Sequence, residues 1–405
     1  YCRRERKPTF LHLRTTRLMG HAGTDFEIEY RNFDDIFAGE AADPLLRSAT
    51  LALEHGVYSQ DELIALYESI RQRCFAAAEA ADQTPKLTDL ADVMKPLAPY
   101  TPDAVMAEAT RAPSNEERSV VFGAQLPETQ APKHLAILIN QALHDLMLKY
   151  PSSLLFGEDV AQKGGVYTVT KGLWNKFKGA RVFNTLLDET TILGLAQGLA
   201  NLGMLPIPEI QYLAYYHNAC DQVRGEACSL QFFSNNQYQN PMVIRIAGLG
   251  YQRGFGGHFH NDNSMAALRD IPGLTVACPS RGDDAAMMLR TLMALSKVDG
   301  RVSVFLEPIA LYMTKDLYAA GDGLWSFAYP APDQAIALGE PRVYDPEHTD
   351  LLIISYGNAM PMSLRVARQL QEQFDPSVKR SSSSRRGSYS SEVNEQKSEE
   401  VMILK

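Results

Sequence analysis

Cysteine is scarce in this sequence, and no cysteine spacing suits a metal. The five cysteines, Cys2, Cys74, Cys220, Cys228 and Cys278, are odd in number and far apart, and no C-x-x-C pair occurs. That excludes a disulfide framework and a zinc knuckle, and it points to a reducing compartment. No apolar run reaches the roughly 18 residues of a spanning helix. The longest stretch, Ile192 to Ile207, is broken by Gln197, Asn201 and glycines. Basic residues do not dominate: the net charge is −9, which argues against a phosphate-tracking nucleic-acid surface. There is no internal repeat. The first residue is Tyr1 and no signal peptide is visible. The expected location is therefore cytoplasmic, or the mitochondrial matrix if a targeting segment preceded Tyr1.

What remains is ordinary globular material. The 405 residues are 45% hydrophobic and 21% charged, enough for about two or three domains. Residues 1–82 hold a strand-like run at Thr9–Leu13, a charged, glycine-bearing loop from Arg14 to Asp25, and one strongly signalled helix. Ser59 with Glu62 forms a capping box, and Leu63, Leu66, Tyr67, Ile70 and Cys74 recur at helical spacing as far as Asp82. Residues 83–132 are rich in proline (Pro85, Pro96, Pro99, Pro102, Pro113, Pro127, Pro132) and poor in periodicity, which predicts a linker.

From residue 133 the pattern is regular. A helix over His134–Lys149 precedes strands at Leu154–Phe156, Arg181–Thr185, Ile207–Gln211, Met242–Ala247, Leu274–Cys278 and Val302–Leu306. Helices are predicted between them at Thr190–Leu202, His217–Phe233 and Asp283–Leu295. Residues 133–320 thus read as an α/β domain with a largely parallel sheet flanked by helices. Residues 321–375 open another α/β unit, with a strand at Leu351–Ser355 and a helix at Pro361–Phe374, and then the pattern stops. Residues 376–405 have the Ser, Arg and Glu content of a disordered tail. Within it, Arg385-Arg386-Gly387-Ser388 has the form of a basophilic kinase site.

Ligands of parallel sheets bind beyond the carboxyl ends of the strands. The residues there are Glu158-Asp159, then Leu186-Leu187-Asp188-Glu189 at a helix start, then Gln211, Tyr212, Tyr215 and Tyr216. A glycine-rich loop, Gly248 to Gly257, leads into His258 and His260, and Glu307 follows the last strand. A carboxylate, an amide, aromatic rings and histidines suit a flat, nitrogen-rich heterocycle. A ring stacks on it, the carboxylate holds a proton at a ring nitrogen, and histidine moves protons nearby. The glycine loop lacks the spacing and lysine of a P-loop, so it reads as a pocket wall. Each residue alone also has a plainer reading. Glu189 could favour the helix dipole, Tyr215 could be a half-buried aromatic, Gln211 could satisfy backbone, and His258 could be a loop residue. His21 and Asp25 could share a turn bond.

Five blocks then occur in order: Gly157-Glu158-Asp159-Val160 with Gly164-Gly165-Val166-Tyr167; Val182 to Glu189; Glu209-Ile210-Gln211-Tyr212 with Asp221-Gln222; His260 followed by Pro272-Gly273-Leu274; and Phe305-Leu306-Glu307-Pro308 with Leu311-Tyr312. Together they resemble the β subunit of thiamin-diphosphate-dependent 2-oxo acid dehydrogenases, the branched-chain type most of all. Arg14 to Asp25, with Arg17, His21 and Asp25, resembles a loop near the end of the α subunit, and the helix over 59–82 resembles its closing helix.

The resemblance implies an α–β fusion carrying a transketolase-like pyrimidine-binding domain over 133–320, present here as a fragment. It implies thiamin diphosphate and Mg2+ as cofactors and oxidative decarboxylation of a branched-chain 2-oxo acid. It implies Glu189 as the glutamate on the aminopyrimidine, Tyr215 as the stacking ring, and Gln211 and Leu187 as pocket lining. By the same resemblance His260 handles protons and acyl transfer to lipoyl-lysine, and His21 orders the diphosphate end. The implied partners are a lipoyl-bearing acyltransferase and a second α–β unit. Two departures stand out. Ala22 follows His21 where regulated relatives carry a phosphorylated serine, and Thr190-Thr191 follow Glu189. The family's G-D-G metal motif is not found before the domain, and Gly321-Asp322-Gly323 matches it in letters only and is expected to be a surface turn. The alternatives are a transketolase or deoxyxylulose-phosphate-synthase-like enzyme, or an inactive interaction subunit.

Overall fold

The computed structural model describes residues 1–251, 256–257 and 259–374. Part of the glycine-rich loop, His258 and the tail over 376–405 with its Arg385-Arg386-Gly387-Ser388 motif lie outside the described residues. The chain divides into two compact units, residues 1–86 and 87–405.

Caps start the helices of the first unit. The Asn32 side chain accepts from the Asp35 N–H at the head of α1 (Phe33–Ala41). Asp43 accepts from Leu45 N–H ahead of α2 (Pro44–Glu54), where Pro44 takes the first helical position. Ser59 and Glu62 close the expected capping box on α3 (Gln60–Asp82). None of these helices buries a residue, and Phe33, Phe37, Leu45 and Phe75 remain exposed. The strand expected at Thr9–Leu13 does not form: Phe10 and Leu11 are exposed and no ladder pairs with them. Strand-like composition without a neighbouring strand fixes no structure.

In the second unit the proline-rich stretch is helical: α4 (Leu90–Leu97), α5 (Pro102–Thr110) and α6 (Asn115–Phe122). Pro102 starts a helix rather than breaking one, and each helix is too short to show periodicity. α5 buries Val105 and Ala109 and packs on the helix over Gly282–Asp299. Ahead of α5, the Thr101 N–H donates to the Asp299 carboxylate at 2.9 Å. After α7 (Leu135–Lys149) come six strands: β1 (Ser153–Gly157), β2 (Val182–Asn184), β3 (Leu205–Ile210), β4 (Met242–Gly248), β5 (Thr275–Ala277) and β6 (Val302–Pro308). They form one sheet in the order β2-β1-β3-β4-β6-β5, with every pair parallel. α8 (Glu189–Asn201), α9 (Leu213–Tyr216) and α10 (Gly282–Asp299) connect them.

The inner strands β3, β4 and β6 are buried on both faces, so they read as apolar runs rather than alternating ones. One face carries Leu155, Ile207, Val243 and Phe305 against α7 and α10; the other carries Phe156, Ile244, Val304 and Leu306 against α8. The helix expected from His217 to Phe233 is broken into a 3-10 turn at His217–Ala219, a π turn at Gln222–Ala227 and an α turn at Leu230–Phe233. Leu351–Ser355 forms no strand, whereas α11 (Ala359–Phe374) forms nearly where expected. Met360 and Leu364 of α11 join Leu317 and Trp325 in a small separate cluster. Among the described residues no helix is long and apolar enough to cross a membrane.

Candidate active site

The strand order fixes where a site can lie. From β1 the chain moves outward to β2 and then back across to β3, so the carboxyl ends of β1 and β3 open a crevice. Gly157, the last residue of β1, pairs with Glu209 of β3. A Cβ on Gly157 would stand 2.7 Å from the Glu209 carbonyl oxygen, so only glycine lets the two strands close here. A pocket opens beside it, lined by Gly165, Tyr167, Gln211, Arg245, Glu307 and Tyr312 among others.

The cavity floor is a buried charge cluster. The Arg245 guanidinium donates to both oxygens of Glu307, at 2.7 and 3.0 Å, and also to Glu209. The Tyr312 hydroxyl donates to Glu307 at 2.6 Å. Burial opposes the Arg245 charge, but Glu307 and Glu209 outweigh it and hold the guanidinium charged. Burial pushes the Glu209 carboxyl up, and Arg245 offsets this only in part. One cation facing two carboxylates leaves a surplus negative charge in a dry place, which favours retaining a proton.

Beyond Tyr212, which meets the pocket-lining Tyr167 edge-on, Tyr215 and His260 meet. His260 Nδ1 lies 2.8 Å from the Gly256 carbonyl oxygen, which can only accept. Nδ1 therefore carries the hydrogen, and in the neutral ring Nε2 is the acceptor. The Tyr215 hydroxyl, 3.3 Å from Nε2, donates to it. Tyr212 stands edge-on to the His260 ring with centroids 4.3 Å apart, which fixes the imidazole plane.

Glu189 opens α8 and is 7% exposed. Asn218 donates to its carboxylate at 3.3 Å, and the Thr190 hydroxyl donates to the Asn218 carbonyl at 2.8 Å. The head of α8 is thereby stapled to the turn that follows Tyr215 and Tyr216. Glu158, after β1, is 6% exposed, and its carboxyl is pushed up from 4.5 to about 7. Burial is the main cause, followed by the negative charges of Glu189, Asp159 and Glu209.

Gln211 is half-buried and lines the cavity, whereas Leu187 is 82% exposed. His21 belongs to the first unit and is exposed. Its backbone N–H donates to Asp25 at 2.5 Å, and Tyr30 donates to the same oxygen at 2.9 Å. These two bonds, His21 first, hold the Asp25 carboxyl below its ordinary range. Gly321-Asp322-Gly323 is a turn: Asp322 accepts from the N–H groups of Leu317, Tyr318, Ala319 and Leu324. Among the described residues no three His, Cys, Asp or Glu side chains converge as metal ligands.

Arg245 and Asn218 were not singled out from the sequence. A signal for the first was present: a lone charge inside the apolar run Met242–Gly248, which a sheet buried on both faces must pair. Glu209 in β3 and Glu307 in β6 are its counterparts. Nothing in the sequence marks Asn218, because its contact depends on how the turn after α9 folds back.

Two family models match the chain. Residues 132–314 match the pyrimidine binding domain of transketolase, and residues 1–89 match the dehydrogenase E1 component. A 3-methyl-2-oxobutanoate dehydrogenase subunit beta from Mycobacterium tuberculosis is 33% identical over 241 residues, covering 59% of this chain and 64% of the relative. A pyruvate dehydrogenase E1 component subunit beta from Staphylococcus epidermidis is 34% identical over 242 residues, covering 58% and 67%. A 2-oxoisovalerate dehydrogenase subunit beta from Bacillus subtilis is 30% identical over 235 residues, covering 58% and 66%. The chain thus spans just under two thirds of the length of the first of these relatives.

Proposed function

Given that this chain belongs to the E1 family of thiamin-diphosphate-dependent 2-oxo acid dehydrogenases, we propose that it supplies the pyrimidine-binding half of that enzyme's active site. The observation that carries the reading is the buried Glu189 carboxylate at the head of α8, held by Asn218 of the turn that follows Tyr215, whose hydroxyl donates to His260, while Gln211 lines the pocket after β3. These residues fit an aminopyrimidine: a carboxyl for a ring nitrogen, an aromatic face and an amide. When bound, thiamin diphosphate supplies the electron sink for decarboxylation.

The chain's own residues do the rest. Glu189 binds the pyrimidine edge and shares a proton with it, while Asn218 orients the carboxylate. Tyr215 stacks on the ring and donates to Nε2 of His260, the ring nitrogen that can accept a proton. The diphosphate and its magnesium fall to the other half of the site, with His21 at the diphosphate end. The substrate is a branched-chain 2-oxo acid, and the acyl group passes to a lipoyl-lysine of a partner acyltransferase. The working assembly includes a second α–β unit.

The test uses the chain assembled with a complete cofactor-binding partner. Glu189→Gln is expected to slow deuterium exchange at the thiazolium carbon by about 10²–10⁴-fold. Exchange that stayed fast would remove Glu189 from the role. A panel of linear and branched 2-oxo acids then reads the substrate class.

A further inference from the structure

A second pocket, open to solvent, lies away from the crevice and is lined by Arg111, Asp145, Lys149 and Arg290 together with Ala109 and Pro113. Residues 90–131 fall between the two family-model matches. Within that span, α5 and the turn after it add Ala109, Arg111 and Pro113 to a wall whose other side is α7 and α10.

The charges around this cavity do not balance. Arg111 grips Glu108 through two bonds, at 2.7 and 3.0 Å. Arg118, fully buried, takes Asp145 at 2.8 and 3.1 Å and Glu128 at 2.7 and 2.8 Å. Asp145 also accepts from the Tyr329 hydroxyl at 2.7 Å. The carboxylates are thus occupied. Arg290, 3% exposed, is held by the carbonyl oxygens of Ala331, Gln334 and Pro330. The Lys149 side chain, also 3% exposed, donates to the carbonyls of Glu108 and Ala109, and the already engaged Glu108 carboxylate lies 3.8 Å away. Four cations, Arg111, Arg118, Lys149 and Arg290, meet three carboxylates, Glu108, Glu128 and Asp145. One positive charge is left over beside a pocket that is open to solvent.

Burying cations against neutral acceptors is unfavourable, and a compact oxyanion would supply the missing charge and accept several hydrogen bonds at once. We propose that this cavity binds a small oxyanion, a phosphate or carboxylate group, between Arg111 of the α5 segment and Lys149 and Arg290 of the domain. The site is independent of the cofactor reading, because it shares no residue with the crevice.

The experiment is a calorimetric titration of inorganic phosphate, and separately of acetate, into the full 405-residue chain, wild type and the variants Arg111→Leu and Lys149→Met. Saturable binding of either probe is expected in wild type and should weaken by about tenfold in each variant, the loss of one charge-assisted contact. Saturation by phosphate alone would assign a phosphate-type ligand, and saturation by acetate would assign a carboxylate. No saturation with either probe would overturn the proposal, and so would binding that both variants leave unchanged. Circular dichroism of each variant separates lost binding from lost folding, and Arg111, which is half exposed, provides a variant least able to disturb the core.

Discussion

At the carboxyl edge of the sheet one guanidinium, Arg245, faces two carboxylates. Around Lys149, four residues before β1 begins, the surplus has the opposite sign, and two cations are held chiefly by backbone carbonyls. The same domain therefore contains a closed ion cluster, whose cation is gripped by carboxylates, and an open one, whose cations rest mainly on backbone carbonyls. A closed cluster fails when one partner is removed, because the others remain buried and unpaired. An open one loses little when its surplus charge is removed.

That contrast can be broken at several points. Arg245→Met should show the largest effect, a loss of roughly 3–5 kcal/mol, read by urea denaturation of the full chain. Retained stability would mean that Glu209 and Glu307 both take up protons without cost. Gly157→Ala comes next, at about 1–3 kcal/mol, since its Cβ must displace the β3 backbone; an unchanged midpoint would show that β1 and β3 can part freely. Lys149→Met should stay within about 1 kcal/mol of wild type or stabilise the chain. Burial holds this lysine down at about 8, so at neutral pH the native state bears the cost of its charge. If Lys149→Met proves as damaging as Arg245→Met, the distinction between open and closed clusters collapses.

Glu158→Gln is the smallest and sharpest test. Its folded-state value is raised from 4.5 to about 7. The neutral carboxyl's favourable share is therefore complete below 4.5 and is lost as pH rises through 7. The variant should melt at the wild-type temperature near pH 4 and roughly 1–3 °C higher near pH 8. Equal melting points at both pH values would show that the carboxyl is solvated.

Much of the fold was legible because its signals are local or repetitive. The Ser59–Glu62 capping box, the six apolar runs and the helices between them are written in spacing, and the ordered blocks around Glu189, Gln211 and His260 led to the correct family. The helices of 90–122 were not legible, because Pro102 occupies a helix start, Pro96 sits inside the last turn of α4, and their apolar faces are only a turn or two long. The strands expected at Thr9–Leu13 and Leu351–Ser355 had suitable residues but no partner strand, a fact that no local window contains. Of the expected pocket residues, Gln211 lines the crevice, Tyr215 and His260 pair with each other beside Tyr212, Glu189 is buried at the head of α8, and Leu187 points to solvent. The cluster beneath them escaped notice because pairing across β3, β4 and β6 requires the strand order, in which β6 inserts between β4 and β5.

The π turn at Gln222–Ala227 has a consequence for how this chain tolerates changes of length. A π turn holds one more residue than an α turn. Removing a single residue from it would restore ordinary helical winding, and because the wide turn had already absorbed that residue, the segment beyond would keep its phase. Cys228 and Gln231, now buried, would stay in the core, whereas the same deletion in an ordinary α turn would rotate everything beyond by about 100°. The stretch works as slack in the winding: the residue count here can fall by one without changing which flank of the following segment meets the sheet.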